Sequence, residues 1–319
     1  MKMRLGKQLP VLLLLLCAAI ILALAKGAVN IPLSGLLLKE NQVVFNMRIF
    51  RIIVAVLAGS GLAVSGIALQ AILRNPLAEP YLLGTSSGAG LAAVTWLVLG
   101  LSRVYIPLAA FLGAVISIIL VYNLAQERGR VSDKSLILSG VIVSIAFSSL
   151  IVFLVFLSGN RAAHEMTWWL WGSFQVYDYK LVGLVALPVI LGICALYLFS
   201  QDLNAISMGE EEATHLGIDT QNIKKLVILI TALITASLIC ICGIIGFVGL
   251  IVPHMMRLVF GPNHKVLIPA ACLAASVFMV VCDLISRTLF APAEIPVGVI
   301  TAVIGAPVFI ILLKRDKRS

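Results

Sequence analysis

Ten apolar runs, nearly all of them long enough to cross a lipid bilayer as an α-helix, occupy most of this 319-residue chain. They lie near residues 9–29, 52–70, 82–101, 105–124, 135–157, 181–199, 226–242, 247–260, 266–290 and 297–313. A helix needs about 20 apolar residues to span the hydrocarbon core. Only 12% of the residues are charged, against about 25% in typical globular proteins. The sequence therefore predicts an integral membrane protein.

The runs are predicted to be helices, because every backbone polar group in lipid needs an internal partner and no alternating ten-residue strand pattern occurs in the sequence. The predicted fold class is an all-α integral membrane protein with about ten transmembrane helices. Since the runs leave no room for a soluble domain of ordinary size, residues 1–319 are expected to form a single membrane domain. Its longest cytoplasmic loop is expected at residues 201–225.

The distribution of Lys and Arg predicts that both termini are cytoplasmic. With the N-terminus inside, fifteen of the 23 basic residues fall on the cytoplasmic side and eight outside, as the positive-inside rule requires. The net charge of +9 follows mainly from this excess, so no nucleic acid partner needs to be invoked. The first run also fits a signal peptide cleaved after residues 23–25, but the orientation works best when that run is retained.

Two segments, residues 65–90 and 242–265, break the helical pattern inside the apolar part of the chain. Each begins with a small residue and Gly, and each carries Pro and Gly at depths where ordinary spans would not. Interrupted segments in corresponding positions of two halves are typical of transporters built from inverted repeats. The first segment enters from outside and the second from inside, so the two halves are predicted to be inverted repeats.

The cytoplasmic loop at residues 201–225 is longer than a connection needs. Glu210, Glu211 and Glu212, followed by Gly217, predict a short helix that ends at a glycine cap. The loop can be interpreted as a solvated connector or as a docking surface for a cytoplasmic partner.

Residues able to carry chemistry are few. The chain has no phosphate-binding loop of the G-x-x-x-x-G-K-[ST] type, so any ATP dependence must come from a partner subunit. An ion-coupled carrier would depend on an intramembrane acid, and the chief candidate is Asp283. Because Asp283 lies four residues before Arg287 on a predicted helix, a local salt bridge is the simpler interpretation. An intramembrane hydrolase would need a nucleophile and a base, which the sequence does not supply together.

The sequence resembles the FecCD-type permeases, which are subunits of bacterial ATP-binding-cassette importers for iron-siderophores, haem and cobalamin. The resemblance rests on "RIFR", "SGIALQAILRNPLAEPYLLGTSSGAG", "MGEEEATHLG", "GFVGLIVPHMMRL" and "LISRTLFAPAEIPVGVITAVIGAPVFIILLKR". These motifs follow the family's order from about residue 45 to residue 314. The resemblance implies the type II importer permease fold and a mechanism of alternating access in the cytoplasmic (inner) membrane.

The resemblance also implies partners. They are a second permease copy, in a homodimer or as a related permease, two cytoplasmic ATPase subunits and an extracytoplasmic substrate-binding protein. ATP and Mg are expected to be used by the partner ATPase, so this chain is expected to be no enzyme and to bind no cofactor or metal itself. Ferric siderophore is ranked first as the ligand because the family most often carries it, with cobalamin or haem as alternatives.

The family places arginines at the outer ends of its second and ninth helices, where they receive acidic residues of the binding protein. The resemblance therefore implies docking roles for Arg48, Arg51 and Arg287, and complementary charge would orient the encounter. Snorkelling or contact with lipid headgroups is the alternative explanation.

Three further sets of residues complete the expectations from the resemblance and the fifth run. The ATPase coupling helix is expected at Gly209, Glu210, Glu211, Glu212, Ala213, Leu216 and Gly217. The cytoplasmic gate is expected at Asn75, Leu77, Asp133 and Lys134, although the last two are charged where some relatives have small hydroxyl residues. Small polar residues on the fifth run suit close helix packing or the wall of the pathway, namely Ser139, Ser144 and Ser148.

Overall fold

The computed structural model describes residues 2–29, 31, 35, 38–127, 130–158, 160–176 and 178–316. The helices in these ranges are α1 (Lys2–Ala25), α2 (Gln42–Ile72), α3 (Thr85–Val98), α4 (Ile106–Ala125), α5 (Asp133–Leu157), α6 (Asn160–Leu170), α7 (Tyr179–Leu198), α8 (Ser200–Met208), α9 (Glu210–His215), α10 (Thr220–Cys242), α11 (Val248–Phe260), α12 (His264–Thr288) and α13 (Val297–Asp316). Single 3-10 turns lie at Lys39–Asn41, Pro80–Leu83 and Arg103–Tyr105. Two-residue strands β1 (Gln126–Glu127) and β2 (Arg130–Val131) pair antiparallel.

A helix occupies each of the ten apolar runs, so the all-α fold with about ten spans is confirmed. Within the described ranges, seven helical stretches are both long and apolar enough to cross a bilayer, and these contain α1, α2, α4, α5, α7, α10 and α12. Helices α3 and α11 have only 14 and 13 residues. Helix α3 starts near the end of the first interrupted segment, after Gly84, and α11 lies within the second segment and ends before Gly261.

Helix α2 is longer than its apolar run predicts. It begins ten residues earlier, at Gln42, and has 31 residues, which extend about 46 Å at 1.5 Å per residue. The helix lies in the centre of the packing, in contact with α7, α10, α11 and α12. Arg48 and Arg51 therefore lie in its second and third turns, not at a helix start.

The two interrupted segments meet at the centre of the molecule through their backbones. A Cβ atom on Gly66 of α2 would lie 1.9 Å from the carbonyl oxygen of Gly249 in α11. The ring of Pro80 packs so closely on Gly249 that a Cβ there would lie 2.4 Å from Pro80 Cδ. No side chain fits at either glycine, so the backbone approach depends on both.

Two hydrogen bonds join the same segments near this crossing. The Phe247 amide donates to Glu79 Oε1 at 2.8 Å, and the Ile245 amide donates to Tyr81 Oη at 3.3 Å. Glu79 thus accepts a hydrogen bond from the residue immediately before α11, where backbone N–H groups lack intrahelical partners.

Helices α1 and α5 lie at the periphery. In their most apolar 18-residue windows only 11% and 17% of the residues are buried, against 83% in α2. Along α5, Ile145, Val152 and Phe156 are more than half exposed. These faces are available to lipid or to another transmembrane chain.

Candidate functional sites

The predicted coupling segment folds into more helix than expected. Residues 201–225 contain most of α8, the whole of α9 and the first turns of α10, where one short helix was predicted. The predicted helix end is confirmed: Gly217, at φ +81°, donates to the Thr214 carbonyl at 2.9 Å, and the Ile218 amide donates to the Ala213 carbonyl at 3.1 Å. This pair of bonds is the Schellman arrangement, which satisfies the last carbonyls of α9.

Helix α9 presents a mixed acidic and apolar surface. Ala213 is fully buried and anchors the helix, whereas Leu216 is 70% exposed and Met208 is 76% exposed. Glu211 and Glu212 are also exposed in the first turn. Exposed apolar side chains beside acids suit a protein contact, and the role of this surface in coupling stays a prediction.

The predicted gate turn at residues 74–78 is well formed. Asn75 Oδ1 accepts a hydrogen bond from the Leu77 amide at 2.9 Å, and the Asn75 carbonyl accepts one from Ala78 at 3.1 Å. Arg74 closes the end of α2 with φ +47°. Leu77 is 48% exposed, so it lies at the surface of this turn.

The structure brings the gate and the coupling helix together. Two ion pairs hold Asp133, at the start of α5, to Lys224 at 2.6 Å and to Arg74 at 3.4 Å. Glu210, at the start of α9, also contacts Lys224 and lies 3.7 Å from Arg74. A groove of about 860 Å³ runs beside these residues, and it is lined by Arg74, Asp133, Lys134, Gly209, Glu210, Glu211, Glu212 and others.

Lys224 is a residue that the sequence analysis missed, since it counts there only as one cytoplasmic charge. It is 5% exposed, and it stands on the same face of α10 as the buried residues Val227, Ile228 and Thr231. A lysine at the head of a buried i, i+3, i+4, i+7 stripe is the signal that could have identified it.

The three serines proposed for the pathway do not share one face of α5. Ser139 is buried, Ser144 is half-buried and Ser148 is exposed. Nine residues separate Ser139 from Ser148, which places them on opposite sides of a helix with 3.6 residues per turn. Only Ser144 and Ser148 can line a common wall, and their pathway role stays a prediction.

At the other end of α2, the three arginines expected to face a binding protein are packed inside the protein. Arg48, Arg51 and Arg287 are 4%, 7% and 2% exposed. Arg51 Nη2 contacts Asp283 Oδ1 at 2.8 Å and its Nη1 contacts Glu294 Oε2 at 2.8 Å. The predicted pair of Asp283 and Arg287 is confirmed at 3.1 Å. Arg287 Nε and Asp283 Oδ2 form an ion pair without an aligned hydrogen bond, because neither of these two atoms has a hydrogen-bonding partner.

Two of these arginines cap the C-terminal end of α1. Arg48 donates to the carbonyls of Leu24 at 2.5 Å and Val29 at 2.7 Å, and Arg287 donates to the Ala23 carbonyl at 2.6 Å. The last carbonyls of a helix lack intrahelical partners and carry the negative end of the helix dipole, which attracts cations. The three guanidinium groups are therefore buried and already paired within the protein, and their docking role stays a prediction.

Glu294, in the loop between α12 and α13, is the second residue that the sequence analysis missed. Besides Arg51, it accepts a hydrogen bond from Gln175 Nε2 at 2.8 Å. Burial raises the pKa of the Glu294 carboxyl, but the hydrogen bonds and charge of Arg51 outweigh burial and leave that pKa below its usual value. The network of Arg48, Arg51, Asp283, Arg287 and Glu294, called the outer arginine network below, therefore joins α1, α2, α12 and two loops.

Comparisons with known proteins agree with this architecture. The model of the FecCD transport family matches residues 13–315. The cobalamin import system permease protein BtuC of Halobacterium salinarum is 38% identical, over 87% of this chain and 75% of that protein. The Fe(3+) dicitrate transport system permease protein FecD of Escherichia coli K12 is 36% identical, over 95% and 96%. A solved structure described as an inward-facing conformation of a metal-chelate type ABC transporter superimposes with a TM-score of 0.88 at 34% identity, covering 97% of this chain and 99% of that one.

Proposed function

Since the chain belongs to the FecCD transport family, it is an importer permease of the ATP-binding-cassette class, and we propose that it carries a bulky metal chelate across the cytoplasmic membrane. The observation that carries this proposal is the match of fold and sequence over nearly the whole chain. The finer identity of the ligand is a ranked proposal. A ferric chelate of the siderophore type comes first because the family most often carries it, and cobalamin comes second. Relatives named for ferric dicitrate and for cobalamin are similarly close, so identity alone does not rank the two.

The proposed mechanism is alternating access in a complex of two permease copies, two ATPases and one binding protein. The binding protein hands its ligand to an outward-facing cavity, and ATP binding and hydrolysis by the partner move the coupling helices to open the cytoplasmic side. Support for the cytoplasmic contact comes from the α9 surface, where acids and exposed apolar side chains surround the glycine-capped end. Support for a second copy comes from the broad exposed apolar face of α5.

An ion-coupled carrier is the rival from a different class, and the placement of Asp283 speaks against it. This acid is 1% exposed, and its two oxygens face Arg51 and Arg287. Both oxygens of this carboxylate are therefore engaged in ion pairs within the protein, whereas ion coupling requires an acid that releases and rebinds its cation.

The test is ATP hydrolysis by this chain co-purified in lipid with the ATPase encoded beside it. The binding protein is added empty, or loaded with a ferric hydroxamate siderophore, ferric dicitrate, cyanocobalamin or haemin. We expect a stable complex whose ATPase rate rises with one loaded ligand. Replacing Glu210, Glu211 and Glu212 together by lysine should abolish the stimulation, whereas Glu165→Lys at the other end of the molecule should leave assembly intact. A well-folded chain that binds no ATPase contradicts the proposal.

A further inference from the structure

Four charged side chains from four separate elements converge at the cytoplasmic end of the molecule. Arg74 follows α2, Asp133 begins α5, Glu210 begins α9 and Lys224 lies in the second turn of α10. The two cations and two anions balance, so the cluster is neutral as a whole. No two of these four residues belong to the same helix or loop.

Lys224 is the central member of this cluster. Its side chain is 6% exposed, and its ammonium contacts both Asp133 and Glu210. An ammonium has three donors and no acceptor, so one lysine can hold two carboxylates at once. Arg74 is 45% exposed and lies farther from both acids, at 3.4 and 3.7 Å. Lys224 is therefore the tighter of the two links.

The two acids belong to the parts that must communicate in the proposed mechanism. Glu210 is the first residue of α9, the helix proposed to meet the ATPase, and Asp133 is the first residue of α5, at the predicted gate. Two carboxylates this close repel each other unless cations lie between them. If α9 moves Glu210 away, Lys224 and Arg74 are left with Asp133 as their acidic partner. The contact between α5 and the turn at Arg74 then changes.

We propose that Lys224 is the positioning residue that transmits movement of α9 to the cytoplasmic gate, by holding Glu210 and Asp133 through one buried ammonium. The inference rests on the proposed function, since it requires an ATPase that moves α9. Lys224 itself touches neither nucleotide nor transported ligand in this scheme. Its effect appears in how the gate follows the nucleotide.

The experiment measures the gate directly in the permease–ATPase complex in nanodiscs, with ATP and vanadate as the probe. A cysteine replaces the exposed gate residue Leu77, and the exposed Cys17 and Cys194 are replaced by serine. The reaction rate of Leu77→Cys with a water-soluble maleimide is compared with and without nucleotide. Coupling between sites commonly corresponds to changes of about 5-fold to 150-fold, so we expect the nucleotide to change the rate about 5-fold or more.

In Lys224→Met the nucleotide should change the maleimide reaction rate by less than about 2-fold, which is less than communicating sites usually show. The complex should still assemble and bind nucleotide. Lys224→Arg keeps the charge and should restore the response. Lys225→Met, at the exposed neighbouring position, should behave as the parent. Asp133→Asn removes the charge of the other acid while α9 and Lys224 stay in place, so it should also abolish the nucleotide response. This variant tests the proposal if Lys224→Met does not fold.

A nucleotide response in Lys224→Met or Asp133→Asn equal to that of the parent overturns the inference. A parent complex that binds nucleotide without any change at Leu77→Cys also overturns it. Failure of the parent chain to bind an ATPase is a different result, because that outcome refutes the proposed function.

Discussion

Replacing Asp283 by asparagine should destabilise the protein more than any change to an exposed ion pair. Asn has nearly the same shape but no charge, so Arg51 and Arg287 lose the carboxylate that lies between them. Asp283 and Arg287 are 1% and 2% exposed, so water cannot replace the lost contact. Removing one partner of a buried ion pair costs about 3–5 kcal/mol.

This cost converts to a measurable shift in melting temperature. Unfolding entropies of about 2.1 cal/mol/K per residue give a chain of this length roughly 0.7 kcal/mol/K. A loss of about 3–5 kcal/mol therefore lowers the melting temperature by about 4–7 °C. Unfolding of a membrane protein in detergent is commonly irreversible, so all variants must be compared at one heating rate.

The matched control is the ion pair of Arg103 and Glu165, which is equally short at 2.8 Å but has side chains that are 72% and 32% exposed. Exposed pairs contribute about 0–1 kcal/mol, so Arg103→Met should lower the melting temperature by less than about 2 °C. If Asp283→Asn shifts the melting temperature no more than Arg103→Met, the outer arginine network does not stabilise the fold and the reasoning is refuted.

Three further predictions concern single positions. Gly66→Ala should prevent accumulation of folded protein, since its Cβ would lie 1.9 Å from a backbone oxygen, whereas Gly183→Ala meets nothing within 4 Å and should express normally; equal yields on size-exclusion chromatography would contradict this. Gly217→Val forces a branched residue to φ +81°, at a cost of about 1–2 kcal/mol, and should weaken ATPase binding while Gly217→Asn retains it. Because the pKa of Glu294 is lowered in the folded state, its contribution to stability is present above about pH 4.3 and is lost as the pH falls through the folded value. The melting-temperature gap between the parent and Glu294→Gln should therefore narrow as the pH falls below about 4.3, and a gap that widens on acidification would be the opposite of this expectation.

The transmembrane helices could be predicted from the sequence because a bilayer leaves few choices. An apolar run of sufficient length must be a helix in lipid. The glycine cap of α9 was equally local, since Gly217 fixes the end of its own helix. These features depend on residues that are neighbours in the sequence.

The burial of the arginines could not be predicted in the same way. The residues near Arg48 include Asn46 and Met47 and did not extend an apolar run, so α2 was expected to begin later. One partner of the buried Arg51 is Glu294, which lies 243 residues away in the chain. Periodicity along one helix carries no information about such a partner. For Lys224, periodicity along α10 can indicate burial but not the two partners, because both acids that it contacts come from other elements.

The capping of α1 also has a consequence for how the chain is made. The Ala23 carbonyl waits for a donor that lies 264 residues later, on Arg287. At about 5–20 residues per second, a ribosome needs roughly 10 to 50 s to synthesise that interval. Throughout this time the Ala23 carbonyl lacks the partner that it has in the folded protein. The corner between α1 and α2 is therefore completed only after Arg287 has been synthesised, and a chain truncated before Arg287 lacks this link between α1 and α12.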